Sequence, residues 1–112
     1  MEETIFTKII KKQIPARIVF EDDWYIVIHD INPAAPVHLL VITKQPIASL
    51  NDLKTDDAQL IGGMFLLAQG IMKKMGQSDY RTVFNCGPSA GQTVFHLHLH
   101  VLAGRQFGWP PG

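Results

Sequence analysis

Gly91-Gln92-Thr93-Val94-Phe95-His96-Leu97-His98-Leu99-His100-Val101 is the stretch on which the fold turns. Three of the chain's five histidines alternate there with Phe95, Leu97, Leu99 and Val101. A strand sends successive side chains to opposite faces. A period of two therefore predicts His96, His98 and His100 on one face and the aliphatic residues on the other. The aliphatic face suits packing on a core. A row of three imidazoles does not, because burying them costs desolvation and supplies no adhesion. The pattern asks for a chemical reason.

Imidazole offers two. It is the commonest metal ligand at neutral pH, and His-x-His on a strand can chelate zinc. It is also a nucleophile and a general acid or base. The preceding Gly91-Gln92-Thr93 favours the second chemistry, since glycine lets backbone approach a ligand and the following amides and hydroxyl can bind an anion. Same-face strand neighbours lie about 6–7 Å apart, from a rise of roughly 3.2–3.4 Å per residue. Three successive rings so spaced do not readily converge on one ion at Zn–N distances near 2 Å. A zinc site using His96, His98, His100 and His38 is thus the rival reading, and a polar strand face turned to solvent is the plain one.

Outward from this run, Thr4 to Lys12 reads as a short helix. Ile5, Phe6, Ile9 and Ile10 share one face, and Pro15 is the stop. Ile18 to Glu21 and Trp24 to His29 read as strands joined at Asp22-Asp23, and Asp30 to Pro36 as a loop. Val37 to Thr43 is an apolar strand interrupted only by His38. Pro46 to Leu53 is a connection with a helical turn at Ile47 to Leu50. Thr55 then caps a long helix running to about Met75, with Asp56 and Asp57 in its first turn, Lys73 and Lys74 in its last, and Gly76 as its stop. Leu60, Ile61, Met64, Leu67, Ala68, Ile71 and Met75 form its apolar stripe. Gly62, Gly63 and Gly70 each cost that helix about 1 kcal/mol relative to alanine. Close packing against another helix or subunit would compensate, and a weakened surface helix is the alternative. Arg81 to Cys86 is a further strand, Gly87 to Gln92 a loop, and Phe95 to Leu102 the strand of the histidines. Short connections between most strands predict an antiparallel sheet with helices packed on it, an α+β domain.

At 112 residues the chain is one domain, 1–112, with room for a single core. Ten basic and ten acidic residues give a formal net charge of zero, which argues against broad nucleic-acid or anionic-membrane binding and leaves a single nucleotide open. Cys86 is the only cysteine, so no intrachain disulfide forms, and it reads as a structural thiol. No apolar run approaches membrane-spanning length and Met1 opens no signal-like segment, which makes the cytoplasm the expected location.

His96-Leu97-His98-Leu99-His100-Val101-Leu102 resembles the alternating signature of the histidine triad family. The run from Gly91 to Gly104-Arg105-Gln106-Phe107-Gly108-Trp109-Pro110-Pro111-Gly112 is similar to its nucleotide-binding, nucleoside phosphoramidase branch. The similarity extends over nearly the whole chain, from Ile5-Phe6 onward. It implies a five-stranded antiparallel sheet with two helices, continued across a homodimer. It also implies hydrolysis of purine nucleoside phosphoramidates, of AMP or GMP, with no metal or other cofactor.

The resemblance gives individual residues roles beside their plainer readings. His98 would be the nucleophile, with its ring held by a carbonyl expected from His96 on the same strand. His100, Thr93 and the Val94 amide would meet the phosphoryl oxygens. His38, otherwise a strand-end histidine, would orient the triad and relay protons. Asp30, otherwise a solvated cap, would accept hydrogen bonds from the ribose hydroxyls. His29 and Ile31, with Ile5, Phe6, Ile9 and Ile28, would enclose the purine; ordinary core is their alternative. Asn85, otherwise a turn former, and Gly91 would lie by the phosphate and leaving group. Thr93 stands where the family often has serine, which keeps the hydroxyl and adds a methyl. Trp109, at an end that would fray unless docked, would line the leaving-group side of the neighbouring active site. A nucleotide-dependent interaction module with little turnover is the remaining alternative.

Overall fold

A computed structural model describes residues 3–112. Five strands form one antiparallel sheet: β1 (Ile18–Glu21), β2 (Tyr25–His29), β3 (Val37–Thr43), β4 (Tyr80–Val83) and β5 (His98–Ala103), in the order β1-β2-β3-β5-β4. Helix α1 (Ile5–Ile10) precedes them and α2 (Ala58–Lys74) joins β3 to β4. The α+β reading and the five-stranded antiparallel sheet of the sequence are what the fold contains. No helix among the described residues is long and apolar enough to cross a membrane.

The period of two sorts the central strands into two cores. Val27, Leu39, Val41, Leu99 and Val101 face α2, where they meet Met64, Ala68, Ile71 and Met72. Ile26, Ile28, Leu40 and Ile42 face the other way, onto Phe6 and Ile9 of α1. Both helices are therefore held by sheet residues that alternate along the same strands. The α2 stripe differs from its sequence reading at the end: Met72 is fully buried, whereas Met75, at the C-cap, is exposed.

Local chemistry moves several boundaries. Thr4 caps α1 in a reciprocal box with Thr7, each hydroxyl accepting the other residue's backbone N–H. The helix ends well before Pro15. Lys12 takes φ 62°, and the amides of Lys12 and Gln13 turn back to the carbonyls of Ile9 and Lys8. Thr55 does not cap α2. It sits in a 3-10 turn, Thr55–Asp57, where the Asp57 carboxylate accepts from the Lys54 amide. The turn expected at Ile47 to Leu50 forms instead at Leu50–Asp52, where the Ser49 hydroxyl accepts the Asn51 amide.

Gly63 answers one of the three helix glycines. A Cβ there would come within 2.1 Å of the Tyr25 hydroxyl, which donates to the Leu60 carbonyl at 2.8 Å. Strand β2, not a second helix, is what packs close. Gly62 and Gly70 face open space.

Candidate active site

The decisive departure from the sequence reading lies at the start of the histidine run. Strand β5 begins at His98, and Val94 to His96 form a bend. His96 is therefore outside the strand, yet the alternation of faces continues through it: Leu97 joins Leu99 and Val101 in the core under α2, and the His96 and His98 rings both stand edge-on to Phe6. The His96 ring is fully buried and Nε2 donates to the Thr43 carbonyl at 2.6 Å, one residue past the β3–β5 pairing of Ile42 with His98. The main-chain carbonyl of His96 accepts from His98 Nδ1 at 2.7 Å. That carbonyl is the one expected from the sequence, but it is presented by a bend instead of a strand.

The consequence for His98 is a fixed tautomer. A carbonyl only accepts, so Nδ1 carries the proton and Nε2 keeps the lone pair. Phe6 stands edge-on to the same ring, with centroids 4.9 Å apart. Burial pushes the His98 pKa down; the His96 carbonyl opposes this and the His96 ring adds to it. The imidazole is neutral at pH 7, as a nucleophile requires.

A second chain of contacts orients His100. The Ala34 amide donates to His38 Nδ1 at 2.9 Å, so a neutral His38 carries its proton on Nε2. His38 Nε2 lies 2.9 Å from His100 Nδ1, which leaves His100 with its own proton on Nε2. The Asp30 carboxylate lies 3.4 Å from His38 Nε2, while its other oxygen accepts the Asn32 amide at 2.8 Å. Burial, followed by the neighbouring His98 and His38, lowers the His100 pKa to about 4. It is a neutral donor under ordinary conditions.

These groups open into one cleft of about 270 Å³ between α1 and the sheet. His98 and His100 line it, together with Asp30, His29 and Ile31. Ile5, Phe6, Ile9 and Ile28 supply an apolar wall, against which Val94 packs, and Asn85, Gly91 and Thr93 complete the lining. His96 and His38 sit behind the lining. Asn32 and Leu40 join it unannounced by the sequence, since Leu40 reaches it only through its pairing with His100. No lysine or arginine lines this cleft. Burial, with a smaller contribution from Arg17, also lowers the His29 pKa.

The loop carrying Gly91 and Thr93 is tied down by Gln92, which the sequence reading left without a role. Its buried carboxamide accepts the Gly87 amide at 2.9 Å and donates to the carbonyls of Ala48 at 2.8 Å and Val94 at 3.1 Å. Gly91 takes φ 95°, a conformation that favours glycine, at the end of a 3-10 turn. Strand β4 stops at Val83, so Asn85 lies beyond it, 3.5 Å from the Gly91 carbonyl. Cys86 is half-buried and free.

The four histidines of the zinc reading do not converge; among the described residues the group with metal-ligand spacing is Asp30, His38 and His100. Trp109 lies outside the cleft and is 84% exposed. The tail is held as far as Gly108, whose carbonyl accepts from Arg81 at 2.8 Å, while Phe107 packs beneath the guanidinium groups of Arg81 and Arg105.

Residues 3–108 match the family profile described as the scavenger mRNA decapping enzyme C-terminal binding region. An uncharacterized HIT-like protein of Synechococcus elongatus is 51% identical, over 99% of this chain and 98% of its own length. The fold is shared with a HIT family hydrolase from Legionella pneumophila, at a TM-score of 0.95 and 45% identity, covering 98% of this chain and 100% of the other. A HIT family hydrolase from Clostridium thermocellum superposes at a TM-score of 0.92 and 44% identity, covering 96% of each chain.

Proposed function

The chain belongs to the histidine triad (HIT) family, and from that premise we propose that it is a purine nucleoside phosphoramidase. It hydrolyses adenosine or guanosine 5′-phosphoramidates, and related aminoacyl adenylates, to the mononucleotide. The observation that carries this reading is the 2.7 Å contact between His98 Nδ1 and the His96 carbonyl, which leaves the other ring nitrogen free to attack.

In this reading the Nε2 lone pair of His98 forms a bond to phosphorus. The P–N bond breaks, and its electron pair leaves on the amine, which takes a proton from water. A second water then attacks phosphorus and cleaves the phosphorus–Nε2 bond; the proton it releases neutralises the hydroxide left by the first, giving the mononucleotide and neutral His98. His100 Nε2–H, the Thr93 hydroxyl and the Val94 amide stabilise charge on the phosphoryl oxygens. The apolar wall receives the purine, and Asp30 receives the ribose hydroxyls.

The charge of the cleft supports this class of substrate. With one carboxylate and no lysine or arginine among the described residues of its lining, it suits a phosphoryl group of low charge. A nucleoside triphosphate ordinarily needs lysine, arginine or a divalent ion. Zinc is disfavoured on its own grounds. The Ala34 amide holds the proton of a neutral His38 on Nε2, the atom that faces Asp30 and His100 and that a metal would need.

A homodimer belongs to the same proposal. Strand β4 is an edge of the sheet, and α2 leaves Phe65 and Leu66 exposed beside the open Gly62 and Gly70. Pairing two β4 edges would continue the sheet and cover that face. Trp109, unplaced in its own cleft, would then serve the leaving-group side of the partner's. The test is release of AMP from an adenosine phosphoramidate in the presence of EDTA, by the wild type and by His98→Ala. Turnover by the wild type and a loss of several orders of magnitude in the variant are expected. Near wild-type turnover by His98→Ala would rule out covalent catalysis by this residue.

A further inference from the structure

The hydrogen-bond chain that fixes His100 does not end at Ala34. Arg105, two residues past β5, donates from Nε to the Ala34 carbonyl at 3.0 Å. Its guanidinium is itself held in place. Nη1 donates to the Gln106 carbonyl at 2.9 Å, and the plane lies over the Phe107 ring, 4.3 Å from its centroid. Gly104 lets the two segments approach. It takes φ 95°, and a Cβ there would press on Pro36 at 3.0 Å. A residue more than seventy positions away in sequence thus grips the same residue whose amide sets the His38 tautomer.

We propose that Arg105 is a positioning residue for His100: by holding the Ala34 main chain, it keeps the Ala34 amide on His38 Nδ1 and so keeps His38 a donor to His100. This rests on the phosphoramidase reading for its catalytic consequence, though not for its structural one. Asn32-Pro33-Ala34-Ala35-Pro36 has few donors of its own, because both prolines lack N–H. The Asn32 amide is already committed to Asp30. When the Ala34 peptide drifts, nothing else named in the loop donates to His38 Nδ1, and the ring can move its proton from Nε2 to Nδ1. His38 Nε2 then accepts instead of donating. His100 answers by placing its proton on Nδ1, and its Nε2 turns a lone pair, not a hydrogen, toward the phosphoryl oxygens. Arg105 touches neither substrate nor the reacting atoms. It acts through two peptide groups and two rings.

Arg81 provides the control. It grips the same tail through the Gly108 carbonyl and the Phe107 ring, with no contact to Ala34. The experiment compares Arg105→Met, Arg105→Lys and Arg81→Met in the full chain. Imidazole 15N shifts read the tautomers of His38 and His100 in the substrate-free protein, and kcat and KM are measured separately on an adenosine phosphoramidate. Arg105→Met should give mixed tautomers at both rings. Its kcat should fall about three- to tenfold, the size of one hydrogen bond, with KM within twofold. Arg105→Lys, which keeps a donor, should recover part of both effects, and Arg81→Met should leave the tautomers as in the wild type. Unchanged tautomers in Arg105→Met would overturn the proposal. So would an equal change in Arg81→Met, which would assign the effect to tail docking. If the wild type turned over no phosphoramidate, the proposed function would fail while the tautomer comparison kept its meaning.

Discussion

His96 and His98 read alike in the sequence, yet they should fail in different ways when truncated. His96→Ala removes a fully buried ring from between Phe6 and the end of β3, with Phe6 6.1 Å away by centroid. Large-to-small truncations of this kind cost about 2–5 kcal/mol. The Thr43 carbonyl also loses its donor, a penalty of about 1–3 kcal/mol for a buried acceptor. Against this, His96 Nδ1 has no hydrogen-bond partner among the described residues, and deleting it relieves a penalty of similar size. The polar contributions cancel to first order, so the cavity decides. A net loss of about 2–5 kcal/mol follows.

In a domain of this length that loss lowers Tm by roughly 8–20 °C, at about 4 °C per kcal/mol. His98→Ala should behave in the opposite sense. The ring is only half-buried and lines an open cleft, so Tm should fall by a few degrees at most while turnover disappears. Both variants are to be melted by circular dichroism and assayed for phosphoramidase activity at a temperature below either transition. His96→Gln, which keeps a side-chain N–H, should recover part of the stability. A His96→Ala transition within about 3 °C of the wild type would refute the reasoning, as would equal destabilisation by His98→Ala.

Acid should weaken both fold and activity. Burial first of all lowers the pKa values of His96, His98 and His100, the last to about 4. Below the ordinary histidine pKa of about 6.5 the unfolded chain therefore binds protons that the folded chain refuses, and stability is lost as pH falls from there toward about 4. Urea midpoints at pH 7.5 and 5 check this; an equal or higher midpoint at pH 5 contradicts it. The acid limb of kcat should likewise lie below the ordinary histidine range, because His98 must be neutral to attack. Asp30→Asn keeps an oxygen for the Asn32 amide and removes the charge, so AMP affinity should fall about tenfold or more, the loss of a charge-assisted hydrogen bond. Isothermal titration with 2′,3′-dideoxy-AMP separates the causes: it should bind both proteins alike, and an equal loss there would point to a disturbed loop.

Legibility followed locality. The alternation of β3 and β5, the helix patterns and the punctuation at Asp30-to-Pro36 are short-range signals, and they carried the fold. Strand ends were less readable because apolar alternation continues past the last paired residue. Phe95, His96 and Leu97 keep the period of two although the main chain has already bent, and Leu97 donates its amide to the Ile47 carbonyl across the connection after β3. Phe84 and Cys86 likewise carry apolar character beyond the end of β4. Every residue expected around a nucleotide, from Ile5 to His100, does line the one cleft. What the sequence withheld is tertiary. Ala34 acts through its main chain, Arg105 reaches across from the other end of the chain, and Gln92 is identified only by its three partners. None of these leaves a mark in side-chain type or spacing.

The same alternation explains why the site is precise without being well packed. His98 and His100 each hold position between apolar neighbours on the opposite face: Leu99 and Val101 are almost completely buried against α2, as are Leu39 and Val41 beside them. A slip of one residue between β3 and β5 would turn those side chains into the cleft and the imidazoles into the core. Burial therefore specifies the register strongly. That register sets His100 opposite Leu40 and His98 opposite Ile42, and leaves His38 diagonal to His100, within the reach of their 2.9 Å contact. The apolar half of the strand thus fixes the geometry that the polar half uses. Substitutions in the cleft can change the chemistry without disturbing the register, whereas substitutions at Leu39, Val41, Leu99 or Val101 threaten the imidazole geometry although none of them lines the cleft.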